Sequence, residues 1–222
     1  MRKVLFGLSG LALFATTAPV AAMPADPGPN APVQYEVSFE NAAHHEAQVT
    51  ATYRGAPKGP LHLRMSRSSP GRYAIHEFAK NVYKVTATDG AGKPLPIERT
   101  EPYSWTVPRH DGTVKVSYTL FGDRGDGTYA QIDLTHAPLN MPATFLWAVG
   151  HDDQPIRVHF HRRDPSWKIA TQLPAAAGEA DTFWAPNLQY FMDSPTELSD
   201  FTWREWQVTD QGRTYTFRLA LH

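Results

Sequence analysis

From residue 33 onward, the chain is ruled by alternation of apolar and polar positions. Val33-Gln34-Tyr35-Glu36-Val37-Ser38-Phe39 keeps a strict period of two. After a break at Asn41-Ala42-Ala43-His44, the positions Ala47, Val49, Ala51 and Tyr53 resume it. Residues two apart on a strand share a face, so these runs predict two half-buried strands joined as a hairpin. Leu61, Leu63 and Met65 predict a third strand, Val82 to Thr88 a fourth, and Leu95 to Arg99 and Tyr103 to Val107 two short ones. The cleanest alternation is Val114, Val116, Tyr118 and Leu120. Phe145-Leu146-Trp147-Ala148-Val149 is continuously apolar and predicts a central strand, because a strand buried on both faces loses its polar alternates. Ile156, Val158 and Phe160 alternate with Arg157, His159 and His161, and Trp167 to Leu173 is a further strand. Phe201 to Val208, the turn Asp210-Gln211-Gly212, and Tyr215, Phe217, Leu219 and Leu221 close the chain as a hairpin.

Turn chemistry separates these runs. Asp89-Gly90-Ala91-Gly92-Lys93-Pro94 marks a turn, and Asp111-Gly112 is a favoured pair for a two-residue hairpin. Between residues 72 and 83 two conformations stay open, since Ile75, Ala79 and Tyr83 have helical spacing while Arg72 to Ile75 also fits an extended chain. The run Met65 to Val82 is the least generic: Pro70 presets φ and Gly71 permits positive φ, which predicts a tight turn acting as a fixed corner for the strands around it. Many short strands with little helix predict an all-β domain, a β-sandwich or open twisted β-sheet with at most one short helix.

Composition then narrows what the fold serves. The 222 residues are 41% hydrophobic and 12% aromatic, which is globular. A net charge of −1, from 21 basic and 22 acidic residues, argues against a nucleic-acid partner. There is no cysteine, so neither disulfides nor thiolate chemistry are available. Arg2 and Lys3, the apolar run Val4 to Ala15, and Val20-Ala21-Ala22 predict a secretory signal over 1–22, cleaved before Met23. Its apolar core is shorter than the ~20 residues of a spanning helix. Residues 23–32 carry four prolines and predict an extended, poorly ordered linker, leaving 33–222 as one β-rich domain in a periplasmic or secreted protein.

Candidate chemistry is sparse. His45-Glu46 and His76-Glu77 begin like His-Glu-x-x-His, but the fifth positions are Val49 and Lys80. His159 and His161 share a strand face and are candidate metal ligands, with His136 or His151 as a third; beside Arg157, Arg162 and Arg163 they read better as the polar face of a strand. Asp123 and Asp126 lie in a glycine-rich loop that lacks the ligand spacing of a calcium site. No catalytic residue and no metal or cofactor site is predicted in this chain.

Ser69-Pro70-Gly71-Arg72-Tyr73, with Glu77-Phe78-Ala79-Lys80-Asn81-Val82, resembles the hallmark of the N-terminal domain of the glycyl aminopeptidase family of zinc metallopeptidases. Tyr118-Thr119-Leu120-Phe121, Thr135-His136-Ala137-Pro138-Leu139-Asn140 and Asp193-Ser194-Pro195-Thr196-Glu197 follow in the family's order. The resemblance covers about Val33 to His222. It implies a β-rich domain ahead of a thermolysin-like catalytic domain, often with a PDZ-like domain, in an enzyme removing N-terminal Gly or Ala. Zinc is then expected only in that catalytic domain, which would begin where this chain stops, so the chain is expected to be inactive alone. By analogy with two-domain aminopeptidases, Asp193 and Glu197 become candidates to bind a peptide's free amino group, although Asp193-Ser194-Pro195 also fits a plain turn. The expected partners are the catalytic domain and a peptide N-terminus. The alternative is a free-standing envelope module binding peptides or proteins through Tyr103, Trp105, Trp184 and Tyr190.

Overall fold

The structure, a computed structural model, describes residues 25–222; the predicted signal lies outside them. Strands run β1 (Val33–Ser38), β2 (Glu46–Arg54), β3 (Leu61–Arg64), β4 (Val82–Thr88), β5 (Pro94–Leu95), β6 (Glu98–Glu101), β7 (Ser104–Val107) and β8 (Thr113–Phe121). They continue as β9 (His136–Leu139), β10 (Trp147–Ala148), β11 (Ile156–Phe160), β12 (Lys168–Thr171), β13 (Thr182–Ala185), β14 (Thr196–Ser199), β15 (Thr202–Asp210) and β16 (Arg213–Leu221). Two helices of a single turn, α1 (Met141–Thr144) and α2 (Leu188–Met192), make one more than expected. The all-β prediction stands.

A seven-stranded sheet in the order β13-β11-β1-β2-β8-β4-β5 forms the main layer. Its pairs are antiparallel except β1 with β11, which run parallel. The alternation seen in the sequence explains its inner face: Tyr35, Val37, Val49, Tyr53, Val116 and Tyr118 are all buried. Smaller sheets, β10-β3-β7-β6 and β12-β14-β9, add Leu61, Leu63, Trp105, Leu139 and Leu198 to the same core. Residues 25–32 lie against the main sheet: Asp26 is 3.5 Å from the buried Arg157, and the Ala31 carbonyl accepts from Arg54 at 3.2 Å.

The segment 145–149 is not a central strand. Only Trp147 and Ala148 pair, with β3, at the edge of the four-stranded sheet. Phe145 and Leu146 instead cross beneath the main sheet, where tyrosine hydroxyls take the bonds that strand neighbours would have made. Tyr35 and Tyr53 both donate to the Leu146 carbonyl, at 2.8 and 2.7 Å. Tyr118 donates to the Thr144 carbonyl at 2.8 Å and accepts from the Leu146 N–H at 3.1 Å. A continuous apolar run signals burial without specifying a strand.

Asp111-Gly112 also departs from expectation. β7 pairs with β3 and β6, whereas β8 pairs with β2 and β4, so this turn carries the chain between sheets and closes no hairpin. The terminal hairpin does form. Asp210 pairs with Arg213, and Gln211 and Gly212 take φ of 47° and 76°, the left-handed pair that a two-residue turn requires.

Burial pushes the hydroxyls of Tyr35, Tyr53 and Tyr118 above the ordinary tyrosine value. Tyr83 is pushed up to about 12, by burial and by donating to Glu46. A raised pKa means the fold favours the protonated form, so this stabilisation is complete below pH 10.0 and Tyr83 loses its share as pH climbs to about 12. In a spectrophotometric titration, Tyr35, Tyr53 and Tyr118 should ionise only together with unfolding. Tyr53→Phe should lower the unfolding free energy in urea by about 1–2 kcal/mol, the cost of a lost buried hydrogen bond; an unchanged midpoint would refute the anchoring role.

Candidate functional site

Three of the motif segments that are scattered in sequence, around residues 69–72, 138–140 and 193–197, meet at one cleft. It consists of two adjoining depressions of about 310 and 270 Å³ that share Gly127, Asn140 and Pro195. Ser69 to Arg72 form one wall, and Asp193, Pro195 and Glu197 the opposite side.

Pro70 and Gly71 form the predicted turn, with Gly71 at φ 72° and the Arg72 N–H donating to the Ser69 carbonyl at 3.0 Å. It is not a corner of the sheets. Pro70 through Ile75 are exposed, and the loop is closed behind them by the His76 N–H donating to the Arg67 carbonyl at 2.8 Å. What fixes the loop tip is Asn140, whose amide donates to Ser69 Oγ at 3.0 Å and to the Thr128 carbonyl. Arg72 reaches across to the Asp126 carbonyl at 3.2 Å. Tyr73 is fully exposed and lines neither depression.

Glu197 sits on β14, the middle strand of its sheet, opposite Ala170 on one side and Pro138 on the other. These flanking side chains are short, and both line the hollow that holds its carboxylate. Glu197 Oε1 is buried without a hydrogen-bond partner among the described residues. A carboxylate oxygen left so is costly, by about 1–3 kcal/mol, unless a ligand or water satisfies it.

Asp193 lines the other depression from the residue after α2. Its backbone is held at both ends, the N–H donating to the Gln189 carbonyl at 3.1 Å and its own carbonyl accepting from Gln172 Nε2 at 2.7 Å. The carboxylate is exposed, with neither a hydrogen bond nor an ion pair to any described residue. The Asx-type turn considered for Asp193-Ser194-Pro195 therefore lacks its defining side-chain bond; the capping is done by Asn187, which accepts from the Tyr190 N–H at 2.9 Å. The site thus presents carboxylates with free oxygens beside a rigid, glycine-bearing wall. That arrangement suits a cationic or N–H-rich group, such as an ammonium.

The other candidates gain no further partners for a metal among the described residues. His159 and His161 do share a face, with ring centroids 4.4 Å apart and Glu36 at 3.4 Å from His161, and burial lowers the His159 pKa. No group of three His, Asp or Glu is placed to hold a metal among the described residues. Asp126 instead caps its own loop, accepting from the Thr128 N–H at 2.8 Å and pairing with Arg124 at 2.7 Å. Sequence reasoning missed Asn140 as the post joining three segments, although it ends a motif already noted.

A family model described as the Peptidase M61 N-terminal domain matches residues 34–200. Among solved structures, the fold is similar to an aminopeptidase N family protein from Idiomarina loihiensis, with a TM-score of 0.77 and 24% identity over 86% of this chain. This chain spans 32% of that protein. An M1 zinc metallopeptidase from Deinococcus radiodurans aligns over 84% of this chain and 45% of its own at 13% identity, with a TM-score of 0.40. Among curated proteins, none matches.

Asn140→Ala removes the amide bonds to Ser69 and Thr128. We expect about 1–3 kcal/mol lower stability in urea and faster tryptic cleavage at Arg72. Cleavage at the wild-type rate would mean that the loop is held by something else.

Proposed function

The chain belongs to the Peptidase M61 N-terminal domain family, and on that footing we propose that it is the non-catalytic β domain of an exported, glycyl-aminopeptidase-like metallopeptidase. In this role it packs against a catalytic domain, shapes the substrate cleft and presents Glu197, with Asp193, to the free amino group of a peptide. His-Glu-x-x-His does not occur in these 222 residues, and in this reading the zinc and its general base belong to the catalytic domain. Export rests on the signal-like residues 1–22.

The observation that carries the packing is the β15–β16 ribbon. Its register places Trp206, Val208, Tyr215, Phe217, Leu219 and Leu221 on one face, each between 44 and 48% exposed. The opposite face holds Glu205 paired with Arg218 at 2.7 Å, and Thr209 bonded to Thr214 at 3.1 Å. It is this more polar face that looks back at the domain, where Thr216 and Arg218 line a cavity with Ile169 and Phe183. An appendage meant to stay in water would turn its faces the other way. A covering partner accounts for the inversion. Tyr73 and Ile75, exposed on a pinned loop beside the cleft, add apolar surface on the cleft side.

The cleft supplies the chemistry. A substrate ammonium satisfies Glu197 Oε1, and the short Ala170 and Pro138 leave it room. Anchoring the amino terminus orients the first peptide bond without taking part in its cleavage. A free-standing binding module is the second reading, and the same ribbon face would be its contact surface. The four aromatics first considered for that patch are not exposed together: Trp105 and Trp184 are buried, Tyr103 lies half-buried under Arg67, and Tyr190 is half-buried against the core.

In a protein carrying both domains, Glu197→Gln should raise KM for Gly- and Ala-anilides about tenfold with kcat little changed, and Asp193→Asn should do so less. Unchanged KM in both variants would sink the anchor. The 222 residues alone should not hydrolyse these anilides; chelator-sensitive hydrolysis by the isolated chain would overturn the non-catalytic role. Trp206→Glu with Phe217→Glu should abolish association with the catalytic domain.

A further inference from the structure

A cavity of about 430 Å³ lies at the base of the signature loop, away from the cleft at its tip. Arg67, Lys80 and Arg99 line it, against the single carboxylate of Glu77. Each cation is preset by an aromatic ring. The Arg67 guanidinium lies 4.8 Å over Tyr103, that of Arg99 lies 4.9 Å over Trp105, and the Lys80 ammonium is 5.9 Å from the Tyr129 centroid. Stacking fixes the plane of a guanidinium and leaves its N–H edge free. Arg99 is oriented further by donating through Nη2 to the carbonyls of Ala79, at 3.1 Å, and Pro102. Its Nε and Nη1, and every donor of the Arg67 and Lys80 side chains, make no hydrogen bond to a described residue, and none of the three cations has a carboxylate partner within 4.0 Å. His76 lines the same cavity, stacked on Phe78 at 4.9 Å, with Nε2 buried and without a hydrogen-bond partner.

Three like charges around one hollow repel one another, and, apart from the two bonds of Arg99, the donors of these exposed side chains have no acceptor among the described residues. We propose that this cavity binds a small oxyanion of two or more charges, a phosphate or a polycarboxylate, held by the Arg67, Lys80 and Arg99 side chains. Charge-assisted bonds from fixed guanidinium edges are the favoured means of gripping such groups, often two bonds at a time. The volume admits a ligand well beyond a halide. The proposal is independent of the peptidase role, since no residue of this cavity lines the cleft.

The test titrates the chain with inorganic phosphate and, separately, with citrate at constant pH and ionic strength. Calorimetry gives affinity, and amide shifts of Lys80 and Arg99 give location. We expect saturable binding of at least one anion, weakened about tenfold or more in Arg67→Gln and in Lys80→Gln. These two side chains donate no hydrogen bond to a described residue and give up only an exposed cation–π contact, so their variants should fold with an unfolding midpoint close to that of the wild type. Arg99→Gln should also lose binding, but it gives up bonds to Ala79 and Pro102 and serves only as support. Preference for phosphate or for citrate assigns the ligand class. Absence of binding by both up to about 10 mM, well past the roughly 1 mM of weak specific association, would overturn the proposal. So would equal affinity in wild type and both variants.

Discussion

Three buried tyrosine hydroxyls from adjacent strands of the main sheet grip one irregular segment, and the cleft is built outward from that grip. Tyr35, Tyr53 and Tyr118 fix the peptide groups of Thr144 and Leu146. Thr144 Oγ1 then donates to the Asn140 carbonyl at 2.8 Å, and the Asn140 side chain ties down Ser69 and the Thr128 carbonyl. A continuous hydrogen-bond path thus leads from the centre of the core to the wall of the cleft. Each buried bond is worth only about 0.5–1.5 kcal/mol net, but leaving any of these hydroxyls unpaired in the core costs more. Position is therefore enforced mainly by the penalty for the alternatives. A chain without cysteine has no covalent means to the same end.

Much of this was legible as pattern. Period-two alternation located β1, β2 and β8, because each has one face in the core and a more open one opposite. It also located β11, which is buried almost throughout, and the terminal hairpin, whose apolar face lies in solvent. Where burial is two-sided the signal fails. The run 145–149 looked like a strand because periodicity records burial, while pairing is decided by which donors lie nearby, here tyrosines from residues 35, 53 and 118. Asp111-Gly112 misled for a related reason: turn chemistry describes the turn, and whether its flanks pair is settled by the rest of the sheets. At the cleft, resemblance marked the segments 69–73, 135–140 and 193–197, and the fold brings them together. Asn140 as the post, and the hollow left by Ala170 and Pro138, depend on register and were beyond reach of the sequence.

The terminal ribbon poses an energetic question of its own. A lone two-stranded hairpin is marginal in water, and this one spends its apolar face on solvent. Fully burying one large apolar side chain is worth about 1.5–3 kcal/mol, so six that are about half exposed hold on the order of 5 kcal/mol in reserve for whatever covers them. That is enough to order the ribbon and to contribute to an interface. Its inverted polarity is what the proposed packing against a catalytic domain would use.

The signature stretch from Met65 to Val82 joins these features through its own construction. Met65 is buried at one end, its N–H donating to the Tyr103 carbonyl at 2.9 Å, and Phe78 is buried at the other, with Tyr129 packed edge-on at 4.9 Å. The bond between Arg67 and His76 closes the neck, Asn140 holds the tip, and the tip turns at Pro70-Gly71. Several residue types follow from a place in that clamp: apolar at the roots, proline and glycine at the bend, and serine where Asn140 reaches. The cations Arg67 and Lys80 are the members that the clamp itself does not need, since neither makes an ion pair or a side-chain hydrogen bond within it. A loop fixed at root, neck and tip can carry unpaired charge on one side and a cleft wall on the other without collapsing either. That division of labour explains why so many polar residues gather at a turn that bears no strand pairing at all.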